Sequence, residues 1–321
     1  MRGRLRWASN VSSFDPEEKE KDKEFLELLS LCSSSKEERE KVMRYRRWED
    51  KKRALFSRLL TRCACVSTFP KRKREDIVIK RTKGGKPFLA MNRTEDENRD
   101  LPNFNFNVAH DGDWVVLCAE PVLLCGVDVC GRQGPRDGTS VREWFELFKD
   151  HFSVEEWNWI RCDDNNKERE PKDQLSVFRL LWSCKEAFTK ARGDGLACRL
   201  RRCTFRRRDI EKKKENTLKT FYRLMLRFDN VERRDWDFVS MLLSDDHWIT
   251  VSRASPSEAI DAYGEFKRTF SRVDVGLCEK DDGVGLCDDD DDDLCDDKDQ
   301  PPSIKFRILN ANDFRSILQQ K

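Results

Sequence analysis

Three short stretches of the 321-residue chain hold side chains whose types and spacing can do chemistry. In "LLWSCKEAFTKARGDGL" a helical period places Trp182, Glu186 and Lys190 on one face, four residues apart. An acid and a base at that spacing also make an ordinary surface ion pair, so this helix decides nothing alone. In "CGVDVC" Asp128 interrupts an apolar strand. Val127 and Val129 face the other way, and Gly126 allows close approach of a backbone or a ligand. A carboxylate there is costly unless it is paired, holds a metal, or lies on an edge strand facing water. In "FNFNVAHDGD" His110 and Asp111 stand where a strand breaks into a turn, with Asn105 and Asn107 alternating against Phe104 and Phe106. A histidine so placed is either structural or a donor to an anionic oxygen.

A fourth stretch, "IKRTKGGKPFL", sets Lys80, Arg81, Lys83 and Lys86 around a double glycine. Such a turn can offer backbone N–H groups and cations to phosphate, or it is simply a solvated hairpin tip. The Walker pattern is absent. Taken together, the four stretches ask for a polyphosphate ligand. Asp128 and Glu186 suit Mg²⁺, which takes one or two protein carboxylates beside water and phosphate oxygens. Lys190, one turn beyond Glu186, suits a phosphate as a point charge.

These groups need elements to position them. "RLRWASNVSSF" reads as an edge strand, and "KEEREKVMRYRRWEDKKRALFSRLL" as one long helix with Val42, Tyr45, Leu55, Leu59 and Leu60 as its stripe. "IVIKRT" and "FL" form a hairpin about "KGGKP", and two strands meet at Asp111–Gly112. A third short strand carries Asp128. "SVREWFELFKDHFSVEEWNWIRC" and "QLSVFRLLWSCKEAFTKA" read as two helices, the second ending at Gly193. "LACRLRRCTF", "FYRLMLRF", "WDFVSMLLSD" and "HWITVSRA" then read as antiparallel strands, which gives an α+β fold.

Composition narrows the class. The chain is 37% hydrophobic and 39% charged, with net charge +2. From Glu279 to Asp299 there are 12 acids against two lysines, which leaves a basic body suited to anionic partners. That acidic run, with its repeated "VGLC", reads as a solvated linker, and the last stretch, "IKFRILNANDF", as a tail packing back on the body. Thirteen cysteines without a pair of C-x-x-C units or a histidine pair read as reduced thiols of a cytoplasmic protein rather than zinc ligands. The longest apolar run is broken by Glu120 and Pro121, so no membrane span is expected.

The order of the motifs resembles that of 4′-phosphopantetheinyl transferases: "CGVDV", then about fifty residues on "WSCKEAFTKARGDGL", after "KRTKGGKPFL" and "PNFNFNVAHDGDW". The likeness is to the stand-alone, pseudodimeric type and runs from about Trp7 to Arg253. It implies two similar α/β halves, related by a pseudo-twofold, with coenzyme A in the cleft between them. Residues 1–122 would form the first half, 123–256 the second, 257–300 the acidic linker and 301–321 the tail. It implies transfer of 4′-phosphopantetheine from coenzyme A to a serine of an apo acyl or peptidyl carrier protein, as in a holo-acyl-carrier-protein synthase, with adenosine 3′,5′-bisphosphate released. Asp128 and Glu186 then match the Mg²⁺ ligands, with Asp111 as a possible third. Glu186 would also take the serine proton, and Lys190 would meet the phosphates. Lys41, Arg81, Thr82, Lys83, Lys86, Asn107 and His110 would contact the coenzyme. A monomer is implied, with no nucleic acid among its partners.

Two positions depart from the pattern, and a third, Lys41, stands among nearby cations of which Arg39 or Arg44 could equally do its job. Cys130 stands where many members carry a further metal carboxylate, and Ala109 where a serine often precedes the histidine. They leave open an inactive carrier-binding relative. The runs "KRKR" and "RLRRCTFRRR" leave open a protein that binds nucleic acid backbones, although no recognised motif accompanies them.

Overall fold

A computed structural model describes residues 2–33, 35–131, 134–208, 220–244, 246–260, 264–277 and 305–319. The chain opens with strand β1 (Leu5–Asn10) and helices α1 (Lys23–Cys32), α2 (Lys36–Met43) and α3 (Trp48–Thr68). The hairpin β2 (Ile79–Arg81) and β3 (Pro87–Leu89) follows, then α4 (Glu95–Asp100), β4 (Asn105–Asp111), β5 (Trp114–Glu120) and β6 (Leu124–Cys130). Helices α5 (Val141–Glu146), α6 (Val154–Arg161) and α7 (Pro171–Arg192) precede β7 (Cys203–Arg207), β8 (Phe221–Phe228), β9 (Val231–Ser244) and β10 (His247–Ala254). A short β11 (Arg307–Ile308) and α8 (Ala311–Gln319) complete the described chain. The fold is α+β, as expected.

Two sheets carry the architecture, one ordered β11-β1-β5-β4 and the other β6-β10-β9-β8-β7. Strand alternation gives each sheet two apolar faces. Phe106 of β4 and Phe104 just before it meet Leu55 and Leu59 of α3 on one side. On the far side of the molecule, Phe178, Leu181 and Phe188 of α7 meet Phe205, Phe238 and Trp248. Between the sheets lie Ala8, Ala109, Val116, Val127, Val129 and Val251. The layers therefore run helix, sheet, sheet, helix.

The open edge of β6 is closed by side chains rather than by a backbone ladder. Asn105 and Asn107 on β4 accept the N–H groups of Cys125 and Val127 at 3.0 Å, and Asp111 accepts that of Gly131 at 2.7 Å. An exposed strand edge is a liability, and this seam both covers it and sets the register of the two sheets.

Several elements differ from the sequence expectation. The helix expected to run unbroken from Lys36 is two, because Arg47 is extended (φ −89°, ψ 141°) and Trp48 starts afresh. Trp48 packs on Phe25 and donates to Asp15 at 2.9 Å, which turns the chain and leaves Tyr45 outside the stripe. "SVREWFELFKDHFSVEEWNWIRC" is likewise two helices, since Ser153 and Glu156 form a capping box that begins α6. Of "LACRLRRCTF" only Cys203 onward is strand, and β1 is covered by β11 rather than lying at the edge.

The expected linker does not begin at 257. Phe266 is buried, and Asn103 accepts the N–H groups of Ser271 and Arg272 at 3.1 and 3.0 Å, so chain as far as 272 belongs to the body. The acidic run itself lies outside the described residues. Helix α8 sits on α1 and α3, with Phe314 edge-on to Phe56 and Arg315 reaching Glu24 and Glu27 at 2.6 and 3.0 Å. No helix among the described residues is long and apolar enough to cross a membrane. The ten described cysteines are all free thiols.

Candidate active site

Helix α7 is seated on β6 at Gly126. A Cβ built there would stand 2.2 Å from the Ala187 carbonyl, so no larger residue allows this approach. Ser252 donates to the same carbonyl at 2.9 Å, and Ser183 shares a hydrogen bond with Thr250 at 2.6 Å beneath the helix. One residue before Glu186, Lys185 points into the core. Its ammonium meets Glu156 at 2.9 Å, with both side chains fully buried, and also bonds the Leu200 and Cys203 carbonyls. The other Glu156 oxygen accepts the Phe205 N–H at 3.0 Å. With Lys185 fixed inward, the helical turn of about 100° per residue swings Glu186 out toward β6. Gly193 ends the helix at φ 85°, a left-handed conformation that favours glycine.

Glu186, Asp128, Asp111, His110, Val129 and Trp182 line one cavity of about 280 Å³. Lys190 enters this site through Asp128, whose carboxylate accepts its ammonium. Burial raises the Asp128 pKa to about 7; Glu186 and Asp111 push the same way and Lys190 opposes them. Burial works against the Lys190 charge, yet Asp128 and Glu186 hold its pKa above the ordinary lysine value. Desolvation at the cavity rim, then Lys190 and Arg53, lower the pKa of the His110 imidazole. Asp111 is anchored by the N–H groups of Gly112 and Gly131, which hold the turn against β6. Trp182 stacks on Phe178 and meets Phe148 edge-on, fixing this face of α7.

The donor set fits a hard divalent cation. Three carboxylates, Asp128, Glu186 and Asp111, line one cavity, and burial, with the neighbouring negative charge, makes Asp128 reluctant to ionise until a cation arrives. Cys130 adds nothing to the set, because burial, then Asp128 and Asp111, push its thiol far up. Among the described residues no three His, Cys, Asp or Glu side chains form a complete metal group.

A second cavity, of about 330 Å³, lies in the N-terminal layer. It brings together Lys41 and Arg81, both anticipated, with Lys80, Arg58, Arg62 and Glu38. Arg58 and Arg62 escaped the sequence reading. Their only signal was a spacing of four on a helix already crowded with cations.

Besides Lys190, four anticipated coenzyme contacts line neither cavity. Lys86 is buried, and its ammonium donates to the Lys190 and Ala191 carbonyls at 2.7 and 3.1 Å, over the Phe266 ring. The last carbonyls of α7 lack helical partners, and Lys86 supplies one. Burial lowers its pKa to about 8. The Asn107 side-chain oxygen is committed to Val127 in the seam. Thr82 shapes its own turn by accepting the Lys86 N–H at 3.1 Å, and the Lys83 backbone donates to Glu265 at 3.3 Å.

Residues 12–122 match the family described as 4′-phosphopantetheinyl transferase, N-terminal, and residues 125–252 match the 4′-phosphopantetheinyl transferase superfamily. The chain belongs to the 4′-phosphopantetheinyl transferase superfamily. It is 31% identical to the L-aminoadipate-semialdehyde dehydrogenase-phosphopantetheinyl transferase of Mus musculus, over 78% of this chain and 75% of the relative. It is 34% identical to the phosphopantetheinyl transferase of a Thraustochytrium species, over 62% and 64%, and 29% identical to 4′-phosphopantetheinyl transferase Sfp of Bacillus subtilis, over 57% and 68%. Phosphopantetheinyl transfer to a carrier protein is thus the activity of this chain. The acidic cavity of this transferase takes residues from both matched regions, whereas the basic cavity lies wholly in the first.

Proposed function

We propose that this transferase moves 4′-phosphopantetheine from coenzyme A to a serine hydroxyl of an apo acyl or peptidyl carrier protein, as a holo-acyl-carrier-protein synthase does. The observation that carries the reading is the meeting of Asp128 from β6 with Glu186 from α7 at one cavity, with the Lys190 ammonium bonded to Asp128. In the reaction the serine oxygen bonds to the β-phosphorus of the coenzyme, and the bond from that phosphorus to the bridging oxygen breaks. Adenosine 3′,5′-bisphosphate leaves, carrying the electron pair. Glu186 takes the serine proton, directly or through one water. Lys190 balances charge on the phosphates and on Asp128 in turn. Asp128 and Glu186, with Asp111 behind them, would hold Mg²⁺, which when bound offsets charge on the pyrophosphate oxygens.

His110 at the rim and Lys41, Arg58 and Arg81 in the basic cavity would take the nucleotide phosphates. The separate sheets support two halves, 1–122 and 123–256, around the cleft. Since both line the acidic cavity, one chain suffices, and the reading is a monomer. The free thiols support a reducing, cytoplasmic setting.

Incubation with an apo carrier, coenzyme A and Mg²⁺ tests the reading. A carrier mass gain of one phosphopantetheine is expected. No gain with several carriers would favour the inactive carrier-binding relative left open by Cys130 and Ala109. Nothing comparable favours the nucleic-acid reading, since Arg202, Arg206 and Arg207 pair with Asp229, Glu155 and Asp164.

A further inference from the structure

The basic cavity contains an acid. Glu38, in the first turn of α2, lines it beside Lys41, Arg58, Arg62, Lys80 and Arg81. One Glu38 oxygen accepts from the Lys41 ammonium at 2.7 Å, and the other lies 3.4 Å from Arg58 Nε. Burial opposes its charge, but Lys41, Arg58 and then Arg81 outweigh burial and pull its pKa below the ordinary glutamate value. Glu37 is a contrast one residue away. It pairs with the same Lys41 at 3.0 Å, yet its side chain is 71% exposed and does not line the cavity. Helix α2 is anchored to the core by Val42, so the Glu38 carboxylate can swing aside without disturbing packed side chains.

We propose that Glu38 is a resident counter-anion of this cavity, holding Lys41 and Arg58 until a ligand with more negative charge displaces it. Five cations around one space repel one another, and one carboxylate relieves part of that repulsion while no ligand is bound. A phosphate dianion brings more charge and more acceptor oxygens than a carboxylate, so it wins the exchange. A phosphate monoester with a single group gains less from it. Glu38 therefore sets how much negative charge a ligand must bring to displace it. The inference rests on the reading of this cavity as the site of the nucleotide phosphates.

The test is calorimetric titration of the full chain, at low salt, with adenosine 3′,5′-bisphosphate and with adenosine 5′-monophosphate. Glu38→Gln keeps the shape and removes the charge. It should bind both ligands more tightly, by roughly fivefold, because the cost of displacing Glu38 is common to them. Added salt should shrink both gains. Glu37→Gln, an equal change in net charge, should stay within about twofold of the parent. Unchanged or weaker binding in Glu38→Gln would overturn the proposal and make Glu38 a structural partner of Lys41 and Arg58. Equal tightening in Glu37→Gln would overturn it as well, since the effect would then be one of overall charge. Arg81→Ala separates the two levels of the argument. If it leaves bisphosphate binding intact, the reading of the cavity fails, and with it the basis for a role of Glu38.

Discussion

Helix α7 carries two lysine–carboxylate pairs five residues apart, and they are opposites. Lys185 and Glu156 are fully enclosed, and every strong hydrogen-bonding direction between them is answered by the partner or by a backbone group. In the second pair Asp128 is buried, but 31% of the Lys190 side chain is still open. Two further carboxylates, Glu186 and Asp111, line the same cavity. The first pair is complete without any ligand. The second has more negative charge than its lysine can balance, which is what a site awaiting a cation and a phosphate requires. A charged pair thus signals function by what remains unbalanced around it, and not by burial or distance alone.

The largest effect should come from the incomplete pair. Glu186→Gln, and separately Asp128→Asn, should lower transfer by a factor on the order of 10³, since each removes a carboxylate from the proposed reacting centre. Initial rates of holo-carrier formation, followed by mass spectrometry, measure this, with thermal melting to confirm the fold. Full activity in either variant would refute the assignment of that residue.

The complete pair should fail differently. Lys185→Met leaves Glu156 buried without its cation, which should cost about 3–5 kcal/mol of stability. Urea denaturation reads the loss. Replacing both members, Lys185→Met with Glu156→Leu, should recover most of it, because a buried pair exchanged for apolar groups is often near neutral. A double variant no better than the single one would show that Lys185 is needed for its carbonyl contacts instead.

Between the two pairs stands the contact that aligns them. Gly126→Ala pushes a methyl group against the Ala187 carbonyl, so α7 must move away from β6. Glu186 would then shift relative to Asp128, and a displacement near 1 Å can cost about 10²-fold in rate. The expected signature is a fall in kcat with a smaller loss of stability, about 1–3 kcal/mol.

Much of this was legible in the sequence, for reasons that differ by residue. Asp128 and Glu186 were legible because a charge in a period-two strand and a charge in a period-3.6 helix each fix a face. Asn105 and Asn107 were legible as a polar face of β4, but their task of closing the edge of β6 was not, because it depends on which sheets meet. Arg58 and Arg62 were hidden in a helix whose open side is uniformly basic. The break after Met43 was hidden because no glycine or proline marks it; the burial of Trp48 makes it. The position of the Lys86 ammonium was hidden for the same kind of reason. Its hairpin is plain, but the end of α7, a hundred residues on, decides where its ammonium goes.

Lys86 also offers the finest test of what separates a balanced lysine from an unbalanced one. Its ammonium is buried against two carbonyls and an aromatic ring, where Lys185 and Lys190 each have a carboxylate. Burial therefore lowers its pKa from 10.5 to about 8. Below pH 8 the lysine is charged in both the folded and the unfolded chain, and the fold bears the full cost of the buried charge. Between about pH 8 and 10.5 the folded chain has released the proton that the unfolded chain still holds, so stability from this group rises with pH. The slope is about 1.4 kcal/mol per pH unit at most. Lys86→Met should remove that rise, so the stability of the parent relative to the variant should climb across this window and stay level below it. Denaturation of both chains at matched pH cancels the other alkaline groups. A flat difference would mean that the two carbonyls balance the ammonium as well as a carboxylate does, and the contrast between complete and incomplete lysines would then lose its electrostatic basis.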